Sequence, residues 1–450
     1  MKGMLRDFAF QPVNNAPLIF FRVVFGLLIF LEGIGAIFTG WVYDNLVKTE
    51  FTIPFIGFEW LQPLPEPGMY IWFVVMGLAG LSVMTGFYYR LGISVFTVLW
   101  TAIYLMQKTS YNNHYYLLVL LCIFMLIMPA HRRLSYDAKR NPEAFSTSCP
   151  QWCIAVFIIQ MAIVYFYAGI NKIYPEWLDG TTVSIFFSGK QDFFIIGPLL
   201  AHEFFQIVVA WGGVLFDLLV VPLMLFRKTR WLGFGMLVFF HLFNSAVFHI
   251  GIFPYLMIGM AVFFFPSDQV DRWFFKGKEQ SLPESKPHFE FSWPDKAKNG
   301  LLLIFAIYFA FQVALPLRHH LFDSNVNWSE EGHRMAWRMM LRSKSGTGDF
   351  YIKDRNDPEA VRERTDFQDK LTTKQAARTA IRPDMTWQVA QKIHKHYKKE
   401  HDRDVSVFFE GRASLNGKPY QPLIDADADL AKIKWNHFES KEWILKLDDK

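Results

Sequence analysis

The sequence predicts a polytopic α-helical membrane bundle of about nine transmembrane helices, N-terminus in and C-terminus out, followed by a small soluble α+β domain. Three observations predict it. Apolar stretches of about 15 to 23 residues recur through the first two-thirds of the chain, and a span needs about 20 apolar residues. Lys and Arg gather in every second connector. Charge is sparse before about Arg318 and dense after it, which places the boundary between a membrane unit, 1–318, and a soluble unit, 319–450.

The candidate spans are 16–38, 69–87, 91–107, 114–130, 151–173, 205–226, 231–249, 251–265 and 299–317. The eighth is the shortest, and its join to the seventh leaves almost no connector. Lys2 and Arg6 precede the first run, with no small-residue cleavage pattern after it, so the first helix reads as an anchor and not a signal peptide. Arg90 follows the second run, Arg132, Arg133, Lys139 and Arg140 the fourth, and Arg227, Lys228 and Arg230 the sixth. Lys276, Lys278, Lys286, Lys296 and Lys298 follow the eighth. The connector after the first run is acidic, with Asp44, Glu50, Glu59 and Glu66. This alternation is the positive-inside pattern, which places the N-terminus in the cytoplasm and the residues after the ninth span outside.

The tail reads as soluble α+β. Residues 384–399 have helical spacing, and Val405 to Phe409 has the composition of a strand, with Gly411 after it. Hydrophobic residues make up 52% of the chain and charged residues 19%, against about 25% charge in a typical soluble domain. The net charge of +5 is modest and gives no support for a nucleic-acid partner. The three cysteines, Cys122, Cys149 and Cys153, form neither a disulfide framework nor a zinc set, and read as plain thiols. Dinucleotide, Walker A, zinc-protease and serine-hydrolase signatures are absent, so a metal hydrolase is not expected.

Ionisable groups inside spanning helices are costly and point to function. Three clusters fall at the outer ends of spans. The fourth begins with Tyr111-Asn112-Asn113-His114-Tyr115, the fifth ends with Gly169-Ile170-Asn171-Lys172, and the seventh carries His241, Asn244 and His249. Each has a plainer reading beside it. Lys172 suits a snorkelling interfacial lysine, His114 an interfacial histidine, and His241 with Asn244 an inter-helix hydrogen bond. Arg22, Glu32 and Asp217 are expected to pair within the bundle.

Four blocks of residues resemble the vitamin K-dependent γ-glutamyl carboxylase family, including its bacterial members with an HTTM-like membrane domain. They are Gln62-Pro63-Leu64-Pro65, Asn112-Asn113-His114-x-Tyr116-Leu117 running on to Ser135-Tyr136-Asp137, Ile163-Val164-Tyr165-Phe166-x-Ala168-Gly169-x-x-Lys172 continuing to Trp177 and Gly180, and Phe240-His241-x-x-Asn244-Ser245-x-x-Phe248-x-Ile250-Gly251-x-Phe253. Asn327-Trp328 through Trp337-x-Met339-Met340 is similar to the start of the family's lumenal part. Together they cover roughly residues 15–345.

The resemblance implies a membrane enzyme that couples oxygenation of reduced vitamin K to its epoxide with carboxylation of peptide glutamate to γ-carboxyglutamate, using O2 and CO2 and no metal. It implies Lys172 as the base that starts the reaction and His114 as an aid at the vitamin's oxygens. Asn113, His241 and Asn244 follow as cofactor-pocket lining. The glutamate-containing peptide or protein would approach from the outer domain, where Arg334, Trp337 and Arg338 lie just past the last span in a position to meet a carboxylate; a solvated amphipathic helix is their plainer reading. The chain is shorter than the vertebrate enzymes and its cysteines do not reproduce their disulfide, which favours a bacterial inner membrane and puts propeptide recognition in doubt. Asn327-Trp328-Ser329 is a formal glycosylation sequon that pulls toward the endoplasmic reticulum. A quinol-oxidising enzyme that does not carboxylate protein, and a non-enzymatic transporter or lipid-binding module, are the competing readings. Oligomeric state is not legible.

Overall fold

A computed structural model describes residues 2–193, 196–275 and 293–448. The membrane unit is built from helices α1 (Ala16–Phe38), α2 (Gly68–Thr85), α3 (Tyr89–Met106), α4 (Asn113–Ile127), α5 (Trp152–Ile170), α6 (Glu203–Leu225), α7 (Arg230–Phe248), α8 (Phe253–Met260) and α9 (Asp295–Leu317). Among the described residues, seven helices are long and apolar enough to cross a membrane; α4 and α8 are shorter and stand where the fourth and eighth apolar runs were expected. α4 stops at Ile127 and not at 130 because Pro129 forces Met128 out of helical backbone, to ψ 140°. The seventh and eighth runs do have a connector. His249 and Gly251 take left-handed conformations, at φ 52° and 60°, and reverse the chain in four residues.

The core of the bundle depends on close helix approach. A Cβ on Gly26 would meet the Met84 backbone nitrogen at 2.3 Å, and one on Gly80 would meet that of Phe30 at 2.6 Å. The missing side chains let α1 and α2 touch backbone to backbone, the small-residue packing that membrane helices use in place of a hydrophobic drive.

The end of the bundle that carries the basic connectors is knit by polar bonds. Arg22 does not pair with Glu32 as expected; its hydrogen bonds go to the carbonyls of Ala130 at 3.2 Å, Arg133 at 3.3 Å and Leu134 at 2.5 Å. Asp137 accepts from the backbone N–H groups of Tyr88 and Tyr89. Strand β1 (Pro12–Asn14) pairs antiparallel with β2 (Ser148–Pro150), and Arg133 meets Asp271 at 2.6 Å. Lys276, Lys278 and Lys286 lie outside the described residues.

The opposite end carries the α+β unit. Strands β3 (Lys344–Asp354), β4 (Glu363–Arg364), β5 (Val405–Leu415) and β6 (Gln421–Pro422) form an antiparallel sheet in the order β4-β3-β5-β6, with Phe350 opposite Phe409. Helices α10 (Thr373–Ile381) and α11 (Pro383–Glu400) pack on it. The expected helix is α11. The expected strand runs through Gly411 to Leu415, because alternate residues such as Val405, Val407 and Phe409 keep facing the core. That core also takes in Ile53, from the α1–α2 connector, and Trp328. Gln388 donates to the Pro54 carbonyl at 3.0 Å and Gln375 to that of Phe51 at 2.7 Å. Residues 331–337 form successive turns and not an amphipathic helix. Asn327 and Ser329 of the sequon are both buried, and the three cysteines are buried free thiols.

Candidate active site

Two helices bring the central pair together. Gly169 in α5 faces α6, where a Cβ would lie 2.8 Å from Leu218 and 3.2 Å from the Asp217 Cβ. Because glycine leaves that space, α5 and α6 close, and the Lys172 Nζ donates to Asp217 Oδ2. Both side chains are buried, at 9% and 3% exposure. The turn after α5 fixes the lysine from behind. Trp177 lies 5.6 Å from its ammonium and donates its indole N–H to the Ala210 carbonyl at 2.9 Å, while Asn171 donates to the Ala336 carbonyl at 3.0 Å. Asp217 was read from the sequence as a structural charge. Its partner is the candidate base itself, a pairing between residues 45 apart in the chain.

Lys172 and Asp217 line an apolar, aromatic cavity of about 410 Å³, which also holds His114, His241 and Asn244. His241 is fixed by a 2.7 Å bond to the Tyr165 hydroxyl, a partner that the sequence did not signal. Asn244 donates to the Phe240 carbonyl one turn back. The His114 ring stacks on Phe253 at 3.7 Å and makes no hydrogen bond to the described residues. Most of the wall is aromatic and aliphatic, and two lining residues, Phe239 and Val208, are exposed on the outside of the bundle. The space thus suits a flat head with polar oxygens at the Lys172 end and a long apolar tail. Among the described residues no cluster of His, Cys, Asp or Glu is arranged to hold a metal ion.

Asn113 falls outside this cavity. It donates to the Arg338 carbonyl at 2.8 Å and accepts from Tyr111 at 2.9 Å, bracing the start of α4 against the outer segment. It lines a second, outer cavity of about 220 Å³ together with His114 and Arg338. The three expected substrate residues separate here. Arg338 lines that outer cavity. Arg334 is committed to Asp384 through two hydrogen bonds of 2.8 and 3.0 Å. Trp337 is fully buried against Tyr116. Neither Arg334 nor Trp337 lines the outer cavity.

The outer cavity is strongly basic, which sequence reasoning missed because its residues come from separate elements. Arg338, Arg342, Lys344, Arg378 and Arg382 face one another there, while Glu330 is held well below the usual carboxylate range by Arg342 and His333 despite its burial. Burial, with Arg342 and Arg382 alongside, pulls the Lys344 ammonium down to about 7 even though Glu330 opposes it. Burial also pulls Arg382 to about 9, again against Glu330, and its Nε and Nη1 have no hydrogen-bond partner among the described residues. Buried cations in such excess are unfavourable until an anion joins them. Met339 and Met340 line both this cavity and the Lys172 cavity, so they form the septum between them. The strap that carries them holds four non-glycine residues in left-handed backbone, Glu330, Met335, Trp337 and Met340, a concentration of strain of the kind found at ligand clamps.

Two family models match the chain. The HTTM domain matches residues 10–269. The lumenal domain of vitamin K-dependent gamma-carboxylase matches residues 297–450. No solved structure matches it.

Proposed function

The chain belongs to the vitamin K-dependent γ-glutamyl carboxylase family, and from that premise we propose that it carboxylates glutamate in a peptide or protein while converting reduced vitamin K to the epoxide, consuming O2 and CO2. When bound, reduced vitamin K supplies on reaction with O2 the base needed to remove the glutamate γ-proton. The chain supplies the rest. The Lys172–Asp217 pair takes the first proton as a unit: the ammonium passes a proton to Asp217 across their hydrogen bond, and the freed lysine nitrogen accepts the proton of the quinol. Buried in an apolar wall, the pair sits where water is excluded. His114 and His241 orient the quinol oxygens, and the aromatic wall holds the tail. The basic outer cavity takes the glutamate carboxylate, with Arg338 on its wall, and the Met339–Met340 septum keeps the two reactants adjacent.

The observation that carries this reading is the abutment of two chemically opposite cavities, one apolar with a lysine–carboxylate pair and one cationic, with His114 lining both. A quinol oxidase has no use for the second, and a lipid-binding module has no use for the pair. In this reading α4 and α8 complete nine crossings, the N-terminus is cytoplasmic, and the α+β unit lies outside a bacterial inner membrane.

Purified protein in detergent with reduced vitamin K, O2, labelled bicarbonate and a glutamate-rich peptide is expected to label the peptide and form epoxide. Lys172→Ala is expected to lose both products by on the order of 10³-fold or more, a typical contribution for a positioned acid–base group. Epoxide without label would reduce the reading to a quinol-oxidising enzyme. Neither product would leave only a membrane module.

A further inference from the structure

His114 faces a third space. A cavity of about 490 Å³ lies on its other side, between α1, the start of α4 and the turn that follows α7. Its polar walls are Glu32, Asn112, His114, Tyr115 and His249. Glu32 was expected to pair with Arg22, but Arg22 spends its bonds on carbonyls at the opposite end of the bundle. What Glu32 has instead is the Tyr115 hydroxyl, which donates to it, and the cavity. The mouth is formed by exposed groups, Thr39 at the end of α1 and His249 and Gly251 in the reversing turn. The rest of the wall is apolar, and a cavity of this size with these polar groups on one side has room for several waters beside them. Lys172 and Asp217 line the first cavity and not this one; His114, Ile250 and Phe253 line both, and of these three His114 is the one that can carry a proton between the reacting space and Glu32.

The proposed chemistry makes a proton that must leave. Quinol, O2, a glutamate C–H and CO2 give epoxide, water, a second carboxylate and one net proton. We infer that Glu32 and the water-filled cavity beside it form the exit relay for that proton, with His114 as its entry; this rests on the carboxylase reading. One ring nitrogen of His114 takes up a proton from the Lys172 cavity and the other gives one to water in the third cavity. That water passes it to the Glu32 carboxylate, which Tyr115 holds in place. Glu32 then releases it to water at the mouth beside Thr39 and His249. His114 and Glu32 end as they began, and one proton has moved outward. Glu32 acts through His114 and touches no substrate, so it is a positioning and relay residue.

The test compares wild type, Glu32→Gln and Glu32→Asp in the full chain. Glu32→Gln is expected to slow epoxide and labelled product together by on the order of 10²-fold, to keep quinone affinity, and to recover in part on adding imidazole as a mobile proton carrier. Glu32→Asp is expected to stay within a few-fold of wild type. A readout without quinol is the infrared carboxyl band that Glu32 gives when it is titrated to its acid form. It is expected to exchange promptly on transfer to D2O, to disappear in Glu32→Gln, and to exchange slowly when Thr39→Trp narrows the mouth. Wild-type rates in Glu32→Gln, or a loss that imidazole does not restore, would overturn the relay while leaving the carboxylase reading intact. Absence of epoxide from the wild type itself would overturn both.

Discussion

Two of the buried lysine–carboxylate pairs among the described residues differ in their surroundings, and the difference separates two uses of one interaction. Lys172 and Asp217 meet inside the bundle with a cavity against them. Lys108 and Asp384 meet at 2.5 Å where the bundle joins the outer domain. The second pair is closed. Lys108 also donates to Gln388 Oε1, Arg334 grips both oxygens of Asp384, and Lys108 is 1% exposed. Three hydrogen bonds to that carboxylate link α11 to the bundle and to the strap. In the first pair the carboxylate has one cationic partner and the lysine faces space large enough for a ligand. An ion pair buried with full coordination is a brace; one left with an open side is positioned to exchange a proton.

The most direct way to break this comparison is Asp217→Asn. The amide keeps the shape and a hydrogen-bond acceptor for Lys172 but removes the charge. If the pair acts as a unit on a bound ligand, both products fall by on the order of 10³-fold while thermal stability changes little, the behaviour of groups whose effect is made in the transition state. A large drop in melting temperature at near-normal specific activity would put Asp217 in the same class as Asp384.

The same contrast explains what was legible in the sequence. The apolar runs predicted the bundle because a membrane demands length and hydropathy of each helix separately. Lys172, His114, His241 and Asn244 stood out because polar atoms are rare in such runs, and the fold does gather these four around one cavity. Pairing is a different matter. Lys108 and Asp384 are 276 residues apart, and Lys108 lies in a short turn that gives no periodic signal. The basic outer cavity draws on the strap, β3 and the α10–α11 region, so no window of sequence shows its charge. Arg334 and Trp337 were misplaced toward the substrate for a local reason. Their strap uses left-handed backbone at residues other than glycine, which sequence does not announce, and the resulting turns bury Trp337 and tie the half-buried Arg334 to Asp384.

Removing the closed brace tests its half of the comparison. Asp384→Ala leaves Lys108 and Arg334 as two cations buried without a counter-charge. Breaking a buried pair in this way costs about 3 kcal/mol or more. The expected result is a lower unfolding temperature and increased proteolysis at the junction between the bundle and the outer domain. Protein that remains folded is expected to retain the epoxidation rate within a few-fold, because neither member of this pair lines the Lys172 cavity. Loss of chemistry without loss of stability would show that the junction, too, takes part in turnover.

The smallest expected effect is the acid response of the closed pair, and its sign follows from linkage. Burial alone would raise the Asp384 carboxyl, but Arg334 and Lys108 overcome it and hold it at about 2, below its ordinary 3.8. Because the folded state binds this proton less readily than the unfolded state, the contribution is fully present above about pH 4. It is lost as pH falls from about 4 toward 2. One pKa unit corresponds to about 1.4 kcal/mol, so the loss across that window is about 2 kcal/mol. Denaturant unfolding of the wild type at pH 5, 4, 3 and 2 is expected to show it, and Asp384→Asn is expected to be flatter over the same range by that amount. The two curves differ only through this carboxylate, so an equally steep acid limb in Asp384→Asn would remove the electrostatic case for the brace and leave its hydrogen bonds as the whole of its contribution.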